Sequence, residues 1–163
     1  MDEDRVAALE RRVQQLEDER AVATLLASYG PLVDAGESVA AAQLWAVDGT
    51  YDVDDWSMNS RAEICAMVES GGHQGLVERG CCHLLGPAVV TVTGDDAVAV
   101  CESVLLVRRS DGRGYSVARA GANHFRLRRE DGRWQIVQRR TTVLDGTERA
   151  RALLAAGVAG RVP

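Results

Sequence analysis

Gly80-Cys81-Cys82-His83-Leu84-Leu85-Gly86-Pro87 runs directly into Ala88-Val89-Val90-Thr91-Val92. The apolar, β-branched run reads as a buried strand over His83–Thr93, with one histidine at its head. A strand fixes the face each side chain takes, so His83 is held in one direction. Imidazole titrates near neutral pH and is the most common proton-transfer side chain. A core histidine satisfied by one backbone hydrogen bond fits the same pattern, and both readings stand at this point.

Downstream of that strand the chain is rich in strands. Gly94-Asp95 turns into Ala97–Arg109, Ser110-Asp111-Gly112-Arg113-Gly114 into Tyr115–Arg129, and Glu130-Asp131-Gly132 into Arg133–Leu144. Three consecutive hairpin signals predict an antiparallel meander. Alternation along Tyr115–Arg129 puts Arg119, Gly121, Asn123, Phe125 and Leu127 on one face. Phe125 and Leu127 mark it as the inner face, so Asn123 projects inward, as a structural amide or a polar anchor in a ligand cavity. His124 falls on the opposite face among arginines and reads as interfacial or exposed. The arginines from Arg126 to Arg140 read as a solvated or subunit-facing sheet surface. Thr147–Ala156 suits a terminal helix.

Upstream, residues from about Asp4 to Ala35 read as helix. Val6, Leu9, Val13 and Leu16 repeat at spacings of three to four, a narrow stripe that suits an arm packed on its own domain or on a neighbouring subunit. From Val22 the apolar face broadens through Leu25, Leu26, Tyr29, Leu32 and Val33, as expected for core burial. Gly30-Pro31 predicts a kink, and Gly36 a stop. Asp34 then sits in the last turn, where the helix dipole disfavours a carboxylate, so a compensating partner is expected. A short helix is predicted over Ser38–Ala46, capped by Ser38, then a strand over Thr50–Val53. Ser60-Arg61-Ala62-Glu63 is a capping box for a third helix that stops at Gly71-Gly72. The stretch 71–79 reads as a loop with His73 exposed.

The 163 residues suit one α+β domain with a substantial core, comprising a helical arm (1–20), the body, and a C-terminal helix and tail (147–163). The net charge of −5 argues against nonspecific nucleic-acid binding. No apolar run approaches the ~20 residues that span a bilayer, and the acidic N-terminus lacks the pattern of a signal peptide. The cytoplasm is the expected compartment. Cys65, Cys81, Cys82 and Cys101 show no zinc-type spacing, so reduced, mostly buried thiols and no metal site are expected.

The order of elements resembles the nuclear transport factor 2-like superfamily, in particular its SnoaL-like branch with relatives of scytalone dehydratase, lindane dehydrochlorinase and polyketide cyclases. The resemblance covers roughly residues 8 to 146. It is carried by Leu16-Glu17-Asp18-Glu19-Arg20 leading to Tyr29 and Asp34, and by Leu44-Trp45-Ala46-Val47-Asp48-Gly49-Thr50-Tyr51. Cys82-His83-Leu84-Leu85-Gly86-Pro87, Asn123 with Trp134, and Arg139-Arg140-Thr141-Thr142-Val143-Leu144-Asp145-Gly146 complete it. The resemblance implies a cone-shaped, strongly curved, mostly antiparallel sheet with N-terminal helices enclosing an apolar pocket. It places Asp34 and His83 on the catalytic pair of the eliminating relatives, with His83 as base and Asp34 as its orienter.

Tyr29, Tyr51, Trp56, Asn123 and Arg119 are the expected substrate contacts. The second pocket histidine of scytalone dehydratase has no counterpart, since Arg108 or a neighbour falls there. The implied activity is that of a cofactor-independent lyase or isomerase on a small, apolar, cyclic molecule, in a homo-oligomer (dimer or trimer). The alternative is a noncatalytic ligand-binding or structural subunit, such as the small subunit of a ring-hydroxylating dioxygenase.

Overall fold

Val22, Leu26, Tyr29 and Val33 recur at helical spacing and are all buried, which sets one face of α1 (Asp2–Asp34) against the core of this computed structural model. The structure describes residues 2–163. Toward the N-terminus the same helix carries Val6, Leu9, Val13 and Leu16, which are 50–64% exposed, so the arm is not packed on its own domain. The two parts are joined by a clip at Asp18, whose Oδ1 accepts from Trp134 Nε1 (3.1 Å) and Arg129 Nη1 (2.6 Å).

The helix continues through Pro31, whose carbonyl accepts from Ala35 N at 3.0 Å, so Gly30-Pro31 does not end or split it. Gly30 serves a contact instead: a Cβ there would lie 2.0 Å from the His83 carbonyl oxygen. Gly36 ends the helix as expected, with φ +74°. Gly36 N bonds Val33 O (3.1 Å) and Glu37 N bonds Leu32 O (3.0 Å), the paired bonds of a Schellman cap.

Beyond the cap, α2 (Ser38–Ala42) is shorter than predicted, and its N-cap is Glu37. Ser38 Oγ instead donates to Glu69 Oε1 at 2.8 Å. The chain turns early into β1 (Trp45–Val53), because Trp45 is fully buried and its indole donates to Thr50 O (3.2 Å). After β2 (Trp56–Met58), the Ser60 cap starts α3 (Arg61–Glu69): Ser60 Oγ accepts from Glu63 N. The Glu63 carboxylate reaches back to Asn59 N at 2.8 Å, one residue earlier than a standard box.

The stretch expected to be a loop is a fourth helix, α4 (Gly71–Arg79). Ser70 ends α3 and caps α4, its Oγ accepting from His73 N at 3.3 Å. Gly71-Gly72 is thus the first turn of a new helix, and His73 is buried.

The predicted strand His83–Thr93 is two strands, β3 (Cys81–Leu85) and β4 (Val89–Thr93), interrupted at Gly86-Pro87-Ala88. Proline has no N–H to offer a ladder. Both lie end to end along β5 (Asp96–Arg108), β3 beside residues 103–107 and β4 beside 96–100. The meander then proceeds as predicted through β6 (Tyr115–Glu130) and β7 (Arg133–Val143).

The sheet order is β2-β1-β7-β6-β5-β3, with β4 also paired to β5. All pairings are antiparallel except β1 on β7, so this is a curved, open, mixed sheet. Its inner side, with Phe125, Leu127 and Ile136, packs on Trp45, Met58 and the buried face of α1. On the other side α5 (Glu148–Val158) lays Ala150 and Leu153 against Ala122. This helix and the tail beyond it cover His124, which is buried rather than exposed, its Nε2 donating to Arg161 O at 2.9 Å. Among the described residues no helix is long and apolar enough to cross a membrane.

Candidate active site

Asp34 closes α1 and His83 is central in β3; the close approach at Gly30 brings these elements together. The His83 Nδ1–H donates to Asp34 Oδ1 at 2.6 Å, and His83 N donates to Asp34 Oδ2 at 2.8 Å. Cys81 Sγ–H adds a third bond to Oδ1 at 3.3 Å. These three donors are the compensation that a carboxylate at a helix C-terminus requires. With Nδ1–H given to the carboxylate, a neutral imidazole carries its lone pair on Nε2. That nitrogen has no hydrogen-bond partner among the described residues, and the ring lines a cavity of about 280 Å³.

The cavity wall is chiefly apolar, with Val53, Met58, Met67, Leu76, Leu85 and Leu105 among its contributors. Tyr29 stands edge-on to His83 (centroids 6.5 Å, 85°) and to Tyr51 (6.4 Å, 88°). Burial pushes the Tyr29 hydroxyl far above its ordinary pKa, with the Tyr51 hydroxyl acting in the same direction against Arg139, so it stays neutral. Trp56 lines the cavity but is 54% exposed, which places it at the mouth. Arg119 also lines it, with its Nη2 2.7 Å from Asp54 Oδ2. Asn123 is fully buried one layer behind the wall. Its Oδ1 accepts from Arg139 Nε and Nη2 and from Thr141 Oγ1, while its Nδ2 donates to Ser103 Oγ. The inward amide is therefore consumed by the protein and does not itself line the cavity, whereas the Ser103, Arg139 and Thr141 side chains it holds do.

Two polar residues that the sequence placed elsewhere, His73 in an exposed loop and Arg139 on the outer sheet surface, line the cavity. His73, brought by α4, stacks on His83 (centroids 5.5 Å, 26°), and its ring nitrogens make no well-formed hydrogen bond. Burial and the neighbouring His83 push its pKa down, against the Val68 carbonyl and Asp34, which raise it. The short Ser70 cap was the available signal. Arg139 is the second. Strict alternation from Trp134 and Ile136 turns it outward, but a bulge at Val137 shifts the register so that Phe125 pairs with Arg139 and Leu127 with Ile136. The guanidinium is 2% exposed and lies over the rings of Tyr29 (4.2 Å), Tyr51 (4.5 Å) and Phe125 (5.3 Å).

Asp34, Cys81 and His83 offer donor atoms within 4.8 Å of one another, which makes them the group among the described residues that could converge on a metal ion. Burial, with the Asp34 carboxylate adding to it, pushes the Cys81 thiol up to about 12. A thiol held protonated and spent on the carboxylate is a poor ligand until a metal displaces its proton.

A family model described as a SnoaL-like domain matches residues 14–140. A crystal structure of an NTF2-like protein with a cystatin-like fold from Novosphingobium aromaticivorans is 41% identical. The alignment covers 90% of this chain and 94% of that one, with a TM-score of 0.86. From the same species, a protein provisionally called a scytalone dehydratase is 17% identical over 78% of this chain and 85% of its own (TM-score 0.67). Another, provisionally called the beta subunit of an aromatic-ring-hydroxylating dioxygenase, is 23% identical over 80% and 91% (TM-score 0.64). At such identities the last two speak for the fold alone. No curated protein matches the sequence.

Proposed function

The chain belongs to the family of SnoaL-like domains, and on that premise we propose that it is a cofactor-independent lyase or isomerase in which His83 removes a proton from a small, mostly apolar, cyclic substrate. The observation that carries this reading is the 2.6 Å contact between Asp34 Oδ1 and His83 Nδ1, made at the wall of an open apolar cavity. Asp34 fixes the tautomer and stabilises the imidazolium that forms. The Nε2 lone pair takes the proton from carbon. The freed electron pair either expels a neighbouring hydroxyl, which leaves as water with the proton returned by His83, or is reprotonated elsewhere on the substrate. Water-poor walls strengthen these charge interactions. Base catalysis of this kind is worth ~10²–10⁴-fold.

The contrary reading, a noncatalytic subunit, is favoured by a cavity filled by its own aromatics. Here Trp45 is in the core, Trp56 is at the rim, and the space between remains open. The test is turnover of a panel of cyclic ketones, phenols and hydroxylated steroids by the wild type, His83→Ala and Asp34→Asn. Each variant is expected to retain its circular dichroism spectrum and lose about 10²–10⁴-fold in kcat/KM. Wild-type rates in either variant would remove the assigned roles.

A further inference from the structure

The apolar stripe near the start of α1 has no cover within its own chain. Val6, Leu9, Val13 and Leu16 are each at least 50% exposed. At about 100° per residue, the stripe lies roughly 150° round the helix from Val22, Leu26, Tyr29 and Val33, the face that packs on the core. The domain body therefore stands behind the stripe and leaves it open. The helix is continuous from Asp2 to Asp34, and Asp18 ties its middle to Trp134 and Arg129. A partner that docks on the stripe meets a helix already anchored at one end, which lowers the ordering cost of a short seam.

The stripe has heptad form, with Val6 and Val13 at the a positions and Leu9 and Leu16 at d. A β-branched residue at a with leucine at d favours two parallel strands. The flanking charges select the same arrangement. Arg5 and Arg12 occupy g positions, and Glu10 and Glu17 occupy e positions. In a parallel pair each g residue faces the e residue of the following heptad in the other strand. Arg5 then meets Glu10 of the partner subunit, Arg12 meets Glu17 of the partner subunit, and the symmetry of the pair repeats both contacts. In an antiparallel pair g faces g and e faces e, which sets Arg against Arg and Glu against Glu. Glu10, Arg12 and Glu17 are exposed and have no ion-pair partner in their own chain among the described residues. Arg20 takes the next a position and ends the apolar seam, and Ala23 and Ala27 continue the line with small side chains.

A lipid surface fits this face less well. Residues 2–20 carry seven acidic and four basic side chains, a net charge of −3 that anionic headgroups repel. We propose that the N-terminal arm is a dimerisation element that pairs in parallel with the arm of a second copy of this chain. Leu9 and Leu16 form the centre of the seam, and the Arg5–Glu10 and Arg12–Glu17 pairs set its direction. Asp34 lies at the opposite end of the same helix, so this inference is independent of the chemistry assigned to His83.

The test is disulfide trapping in the whole chain. Leu16→Cys, oxidised with glutathione, is expected to give a covalent dimer joined through position 16 of both copies, as read by mass spectrometry of the linked peptides. An antiparallel pair would hold those two positions apart. Adding either Glu10→Arg/Glu17→Arg or Arg5→Glu/Arg12→Glu to Leu16→Cys sets like charges together and is expected to slow trapping at least about tenfold. Mixing the two charge variants is expected to restore the rate and to yield the mixed dimer. All these positions are exposed on one chain, so the circular dichroism spectrum should not change. The proposal is overturned by the absence of a dimer joined through position 16, by a trapping rate indifferent to the charge changes, or by a mixture that traps no faster than its components. If no such dimer forms and the wild type instead floats with vesicles of anionic phospholipid, the arm is a membrane contact and the proposal falls.

Discussion

At the scale of single residues, Asp34 explains its neighbours. The sequence places a carboxylate where the helix dipole opposes it, which is a legible anomaly, and the partner it calls for is found in β3. The dyad could thus be read from two stretches of chain. Cys81 could not, because nothing in a Cys-Cys pair says which thiol meets a carboxylate. Its place in the structure has a chemical consequence. Burial and the adjacent Asp34 charge raise its pKa to about 12 from an ordinary value of 9.0, so at pH 8 the reactive thiolate is reduced about a thousandfold. Iodoacetamide at that pH should leave Cys81 unmodified in the folded protein and modify it readily in denaturant, as read by fragment-ion mass spectrometry. In Asp34→Asn the thiol should react faster, since the carboxylate no longer opposes its ionisation. Modification in the native wild type at the rate of a free thiol would contradict this environment.

At the scale of elements, the readable features were those with a local cause. The Gly36 cap, the Ser60 cap and the three hairpin turns each depend on a few adjacent residues, and each appears where predicted. The failures have a different origin. The bulge at Val137 depends on how β7 pairs with β6 and reverses the faces of everything after it, so Arg139 read as surface while it lines the cavity. Likewise Gly71-Gly72 carries the composition of a terminator, and only Ser70, whose N–H closes α3 on Met67 O while its hydroxyl caps α4, turns it into a beginning. Gly30 read only as part of the Gly30-Pro31 kink, and its contact between α1 and β3 depends on a distant strand. That contact predicts the effect of one methyl group. A Cβ at position 30 would stand 2.0 Å from the His83 carbonyl oxygen, a backbone atom that cannot rotate away. Gly30→Ala should therefore force α1 off β3, destabilise the domain by about 1–3 kcal/mol and lengthen the Asp34–His83 contact. Urea midpoints and the imidazole NMR signals of His83 would register both changes, and an unaltered midpoint would refute the close packing.

At the scale of the whole molecule, the two histidines outside the dyad lie on opposite sides of the sheet and share one electrostatic condition. His73 is buried at the cavity, and His124 beneath the chain that follows α5. Burial pushes both pKa values below the ordinary 6.5. For His73 the neighbouring His83 adds to this, and the Val68 carbonyl and Asp34 oppose it. For His124 the Arg161 carbonyl opposes it, while Arg140 and Arg126 add to it. As pH falls through about 6.5, the unfolded chain takes up protons that the folded chain declines, so stability falls with falling pH in that window. Asp18 and Asp54 act in a lower one. Burial raises each, but hydrogen bonds from Trp134 and Gln14 to Asp18, from Val143 N and Arg119 to Asp54, and the nearby arginines outweigh it. Both carboxyls end below the ordinary 3.8, so their stabilisation is present above that value and is lost as pH falls through their lowered pKa values. The melting temperature should therefore decline in two stages on acidification. The double variant His73→Gln/His124→Gln should flatten the first stage and leave the second, because glutamine at 124 can still donate to the Arg161 carbonyl and neither amide titrates. A double variant whose melting temperature still falls as steeply just below pH 6.5 would place the loss elsewhere.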